Sequence, residues 1–158
     1  MKRNRILLAL TLVIALATPI ETLAQQWSTK GPAPRGFHSA VLDTITNSMV
    51  IFGGTTYAPV GSGNPGLNLN DTWRLSNATT AASALSWTQL KPTGTPPAPR
   101  ATQTAIYAPE SDSMIIFGGG LNFSSPCVND VWALKGVSGT APAWTELSPV
   151  GGPPAARQ

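Results

Sequence analysis

Met49-Val50-Ile51-Phe52-Gly53-Gly54 returns sixty-five residues later as Met114-Ile115-Ile116-Phe117-Gly118-Gly119. Upstream of each copy stands a proline-arginine pair, Pro34-Arg35 and Pro99-Arg100, followed by Ser39-Ala40-Val41 and Thr104-Ala105-Ile106 at the same spacing. Downstream, Asn70-Asp71-Thr72-Trp73 returns as Asn129-Asp130-Val131-Trp132 after fifty-nine residues, and Trp87-Thr88-Gln89-Leu90 as Trp144-Thr145-Glu146-Leu147 after fifty-seven. Four blocks keep their order while the spacing changes only between blocks. The strands therefore repeat and the loops vary in length.

Each block reads as a short strand. Residues 37–42 and 102–107 are rich in small and β-branched side chains, and 49–52 and 114–117 are continuous apolar runs suited to burial on both faces. The glycine pairs Gly53-Gly54 and Gly118-Gly119 end those runs where the backbone turns sharply or meets another strand, which a Cβ would obstruct. Asn70-Asp71 and Asn129-Asp130 are suited to side-chain bonds with nearby backbone that open the next strand, whose Trp73 or Trp132 supplies packing surface. Trp87 and Trp144 open a fourth strand, and the proline-rich stretches 92–99 and 149–154 lead on to the next unit. Four strands repeated at about sixty residues make one blade of a propeller. Composition agrees: 15 Gly, 15 Pro and only 11% charged residues disfavour helices.

Arginine before a Ser/Thr-Ala strand, an apolar strand ending in Gly-Gly, Asn-Asp-x-Trp and a terminal Trp-x-x-Leu together resemble the kelch repeat, over essentially all of residues 27–158. The resemblance implies an all-β propeller segment: two four-stranded antiparallel blades, at about 35–90 and 100–147, and the start of a third near 153. Trp27 with the following Gly31-Pro32-Ala33-Pro34-Arg35 resembles a lone fourth strand ahead of the first complete unit. In this family such a strand often completes the last blade and closes the ring. The units exceed the family's usual period of roughly fifty, mainly through loop 55–69 and segment 76–86.

Lys2, Arg3 and Arg5, the apolar run from Ile6 to Ile20, and Thr22-Leu23-Ala24 with small residues at −3 and −1 form the pattern of a secretory signal peptide cleaved after Ala24. Its removal lowers the net charge from +3 to +1, seven basic residues against six acidic, so the basic balance belongs to the targeting segment and nucleic acid is not an expected partner. The expected location is secreted or otherwise extracytoplasmic, with no membrane span after cleavage. Cys127 is the only cysteine, so packing rather than disulfides must stabilise the fold.

Catalytic chemistry finds little support. His38 is the sole histidine, its counterpart is Gln103, and a metal site would need more partners, so no metal or cofactor is expected. Asp71 and Asp130 occupy one repeat position on two blades, which favours a structural role over a catalytic carboxylate pair. Cys127 has no basic neighbour in sequence, Gly118-Gly119-Gly120 is followed by no Lys-Ser/Thr helix, and no nucleophile elbow is present. Asn77-Ala78-Thr79 and Asn122-Phe123-Ser124 fit the glycosylation pattern and read as loop residues. Propellers of the galactose oxidase kind hold copper with tyrosines, histidines and a Tyr-Cys crosslink; Tyr57, Tyr107, His38 and Cys127 do not supply that set, and no ligand carries over.

The resulting expectation is a non-catalytic module that binds a protein or carbohydrate ligand. The alternative is the propeller portion of a secreted carbohydrate-active or copper-dependent oxidase whose active site lies elsewhere. Alternating strand direction gathers loops 55–69, 120–128 and 91–99 on one face, with Tyr57 and Phe123 as candidate contacts. Two blades bury a single interface and leave two apolar faces open, and Pro153-Pro154-Ala155 repeats Pro96-Pro97-Ala98 at the approach to a third unit. A partial chain, or self-association through the unpaired faces, follows as the expectation.

Overall fold

A computed structural model describes residues 31–57, 66–79, 85–120 and 127–156. The segment read as a signal peptide, Trp27 and Phe123 lie outside these residues. The chain forms two four-stranded sheets in which every pairing is antiparallel. In the first, β2 (Ser39–Asp43), β3 (Ser48–Phe52), β5 (Thr72–Ser76) and β6 (Ser86–Leu90) follow one another in space as in sequence. In the second, β7 (Thr104–Ala108), β8 (Ser113–Phe117), β9 (Val131–Lys135) and β10 (Ala143–Leu147) do the same. At one end of the first unit, the short strands β1 (Arg35–Gly36) and β4 (Thr55–Thr56) pair as a small ribbon. The expected all-β, blade-like architecture is present, and the apolar strands begin one residue early, at Ser48 and Ser113.

Register repeats between the sheets. Val41 pairs with Val50 as Ile106 pairs with Ile115, and Ile51 pairs with Trp73 as Ile116 pairs with Trp132. The turns also match: Asn47 and Asp112, both left-handed, lead from the first strand into the second. Asn and Asp tolerate this conformation better than other side chains because their short polar groups bond locally.

The hydrophobic core lies between the sheets. Val41, Val50 and Phe52 of the first meet Met114, Ile116, Leu134 and Trp144 of the second, with Val137 from the turn after β9. The rings of Phe52 and Trp144 pack tilted, centroids 4.8 Å apart. Burial of several large apolar side chains, at roughly 1.5–3 kcal/mol each, makes this interface the main source of cohesion. Polar groups set its alignment: the Gln103 Nε2 donates to the Phe52 carbonyl (2.9 Å) and to the Ser39 hydroxyl (3.1 Å). Arg74 reaches across to the Val137 and Gly139 carbonyls. Near the blades' outer edge, Thr93 N–H donates to the Pro142 carbonyl and Trp144 N–H to the Thr93 carbonyl, each at 2.9 Å.

The second glycine of each pair packs backbone against backbone, and in the first pair it also touches the next unit. Gly54 has φ +91°, its N–H donates to the Arg100 carbonyl at 2.9 Å, and a Cβ there would lie 2.7 Å from the Gly36 carbonyl oxygen. Gly119 repeats the left-handed backbone and the close approach, with φ +97° and 2.8 Å to the Ala101 oxygen. Gly54→Ala is therefore expected to cost about 2–3 kcal/mol, from the left-handed backbone and the backbone clash together. Urea denaturation checks it; a loss under about 0.5 kcal/mol, the ordinary range for surface changes, would contradict this account.

Candidate functional site

The most ordered polar arrangement occurs twice. Arg35 spans the end of the first blade, donating to Asp71 Oδ1 (2.5 Å) and Oδ2 (2.9 Å), to the Gly53 carbonyl (3.1 Å) and, through Nε, to the Ala33 carbonyl (3.2 Å). Arg100 makes the same set with Asp130 (2.6 and 2.8 Å), Gly118 (3.0 Å) and Ala98 (3.1 Å). Oδ2 of each aspartate also accepts the indole N–H of the tryptophan two residues on, Trp73 or Trp132, at 2.7 Å. The aspartates bond to their own backbone N–H as well, and a bidentate guanidinium and an indole hold their side chains beyond that turn-bonding role. Asn70 and Asn129 reach forward instead, to the Pro97 carbonyl (3.4 Å) and the Pro154 carbonyl (3.3 Å). The signal for the Arg-Asp-Trp cassette was in the sequence, because all three residues recur together in both units, but no spacing rule joins residues thirty or more apart.

Chemically the cassette is a clamp. It fastens the approach to the first strand onto the Gly-Gly turn and the head of the third strand. Burial raises the pKa of Asp71 and Asp130, and the hydrogen bonds and charge of Arg35 or Arg100, with the indole bond, more than reverse this and hold both below the ordinary value. Such carboxylates stay ionised and do not serve as general acids. Because the folded pKa is depressed, the stabilisation is complete above the ordinary value of 3.8 and is lost as pH falls below it through the folded value. Thermal melts from pH 6 down to about 2 should therefore show a steep acid-side loss. In the double variant Asp71→Asn, Asp130→Asn that loss should flatten; an unchanged slope would exclude these carboxylates as its source.

A second polar group lies at the opposite end of the inner strands. The buried Asp43 accepts the Ile45 N–H (2.9 Å), the Thr46 N–H (3.3 Å) and the Thr46 hydroxyl. The Tyr107 hydroxyl stands between Asp43 and Asp112, donating to Asp112 Oδ1 at 3.1 Å. Asp112 in turn accepts the Ser138 N–H and hydroxyl. Burial, then these two carboxylates, push the Tyr107 phenol far above its usual range, so it stays protonated. These groups are mutually satisfied and tie the two blades together.

The candidate copper-type residues are dispersed. His38 precedes β2 and packs beside Gly54, at the end of the inner strands opposite Tyr107. Burial and the Arg35 charge lower its pKa and favour the neutral ring. Cys127 bridges to Gly120 as a free thiol. No group of three or more His, Cys, Asp or Glu suited to a metal ion occurs among the described residues, and no helix there is long and apolar enough to cross a membrane.

Tyr57 stands on the ribbon of β1 and β4, its hydroxyl over Gly36. Phe37 and Leu67, which the sequence had not marked as contacts, flank the same ribbon: Phe37 follows β1, and the Leu67 carbonyl accepts the Thr56 N–H at 3.0 Å. All three side chains are exposed, by 53% (Phe37), 68% (Tyr57) and 68% (Leu67). Phe37 is held there by a left-handed backbone whose carbonyl accepts the Thr102 N–H of the next unit at 2.8 Å. The other site residues, Gly53, Gly118, Trp87 and Trp144 among them, serve turns and packing.

A family model described as the KLHDC2/KLHL20/DRC7 Kelch-repeats domain matches residues 12–158, beginning inside the segment read as a targeting peptide. With the sheet order, the twofold Arg-Asp-Trp cassette and the glycine-pair contacts, that match makes this chain a member of the kelch-repeat family, an incomplete β-propeller of two blades.

Proposed function

We propose that the chain is a non-catalytic, exported binding module that holds a protein partner against the propeller face formed by the second-to-third-strand loops and the connections between blades. The observation that carries this reading is the exposed group of Phe37, Tyr57 and Leu67 on the β1–β4 ribbon. Aromatic and aliphatic side chains held at the surface by an ordered backbone are the material of protein contact, since little ordering entropy is lost when they bind. Kelch domains mediate protein interaction, which agrees with this assignment. Export rests on the basic head, apolar run and small residues of positions 1–24.

A photo-crosslinking side chain placed at Tyr57, in chain expressed in its own host, tests the proposal. A discrete protein adduct is expected, lost when Phe37→Ser and Leu67→Ser are added. The same group at Lys135, at the opposite end of the blade, should give none. Equal adducts from both positions, or none from Tyr57, would count against this face.

A further inference from the structure

Among the described residues, one blade interface is covered and two blade faces are open. On the first sheet the covered side carries Val41, Val50 and Phe52. The same repeat positions of the second sheet, Ile106, Ile115 and Phe117, are again apolar, but Ile106 is 62% exposed where Val41 is 7%. The opposite side of the first sheet shows the converse. Leu42, Met49, Leu75 and Trp87 stand at the positions of Tyr107, Met114, Leu134 and Trp144, and Leu42 is 44% exposed.

The open faces also match where the repeats differ. Inside the chain, Asp43 faces the Tyr107 hydroxyl. At that register the open faces offer Ala108 and Leu42, so both members of a polar pair are replaced by apolar residues. Gln103 donates to the Phe52 carbonyl and the Ser39 hydroxyl. Its counterpart His38, with a neutral ring, has one ring N–H for the Phe117 carbonyl and one ring nitrogen to accept from the Thr104 hydroxyl of the other open face.

We propose that two copies of this chain dock head to tail, the first blade of one against the second blade of the next, reproducing between molecules the interface already present within each. Such a contact is heterologous, and it closes a ring when the blade-to-blade rotation, repeated between copies, sums to a full turn, as in a propeller. Propellers of four to eight blades correspond to two to four copies. One segment must yield: residues 150–156 of one copy and 31–34 of the next lead toward the same repeat position. The tail, exposed from Val150 to Ala156, is the segment proposed to give way, including its Asn129 contact to Pro154 at 3.3 Å.

Sedimentation velocity of the full chain should show a discrete oligomer of two to four copies. Leu42→Asp blocks the first-blade face and Ile106→Asp the second-blade face. Both side chains are at the surface, and circular dichroism verifies that each variant folds. Each variant alone should be monomeric, and an equimolar mixture should form a one-to-one heterodimer through the two faces left intact. A monomeric wild-type chain, a variant that still self-associates, or a mixture that stays monomeric would overturn the proposal; heterogeneous wild-type association would be decided by the mixture.

Discussion

Arg100→Ala is expected to destabilise the fold by about 3 kcal/mol, the lower end of the range for breaking a buried ion pair. The side chain is 2% exposed and its partner Asp130 is 24% exposed, so the stranded carboxylate recovers some hydration. The substitution also removes donors to the Gly118 and Ala98 carbonyls and leaves a cavity where a long side chain was fully buried. Arg100 further lies at the junction of the blades, where its N–H donates to the Leu69 carbonyl and its carbonyl accepts the Gly54 N–H. Local loosening there reaches both units. Lysine restores the charge but has no planar fork to span both oxygens and a carbonyl, so Arg100→Lys should recover less than half of the loss. Guanidinium denaturation of the three proteins, compared at their midpoints, decides the matter; a deficit under about 1 kcal/mol for alanine would make this an ordinary surface pair.

The repeat made the strands legible. A continuous apolar run, a glycine pair and an opening tryptophan each have a local physical reading, and recurrence in the same order removed the ambiguity between buried strand and buried helix. Gly54 and Gly119 were readable as close-approach positions for the same reason: only the absence of a Cβ fits. The partners of the polar residues were less legible. Arg35 and Asp71 lie thirty-six residues apart and meet only because the first strand's approach and the third strand's head converge on one Gly-Gly turn. The asymmetry of the ribbon was hidden too. Phe37 occupies the position of Thr102 and shares its left-handed backbone, so the difference lies in the aromatic side chain and the extra β1–β4 pairing, and a strand pattern encodes neither the left-handed residue nor that pairing.

Trp144→Ala should cost about 3–5 kcal/mol, as expected for removal of a large buried ring. Its indole lies between the sheets against Phe52, beside the bridge from Thr93 to Ala143, and is 4% exposed. Trp87 holds the same repeat position on the first blade and pairs with Leu75 as Trp144 pairs with Leu134. Its ring faces the open side, with Gly31 as a neighbour and, among the described residues, no second sheet over it. Trp87→Ala should therefore cost the isolated chain less than half as much, because the atoms removed were already partly in water and no closed cavity remains. Identical chemistry at identical repeat positions thus separates the contribution of the neighbouring blade from that of the blade itself. Thermal denaturation across a range of protein concentrations gives the comparison. When copies dock head to tail, Trp87 acquires the cover that Trp144 has, and the penalty for Trp87→Ala should climb toward that of Trp144→Ala as concentration rises. Equal penalties at the lowest concentration would mean that the blade's own packing, and not the interface, determines the value of this tryptophan.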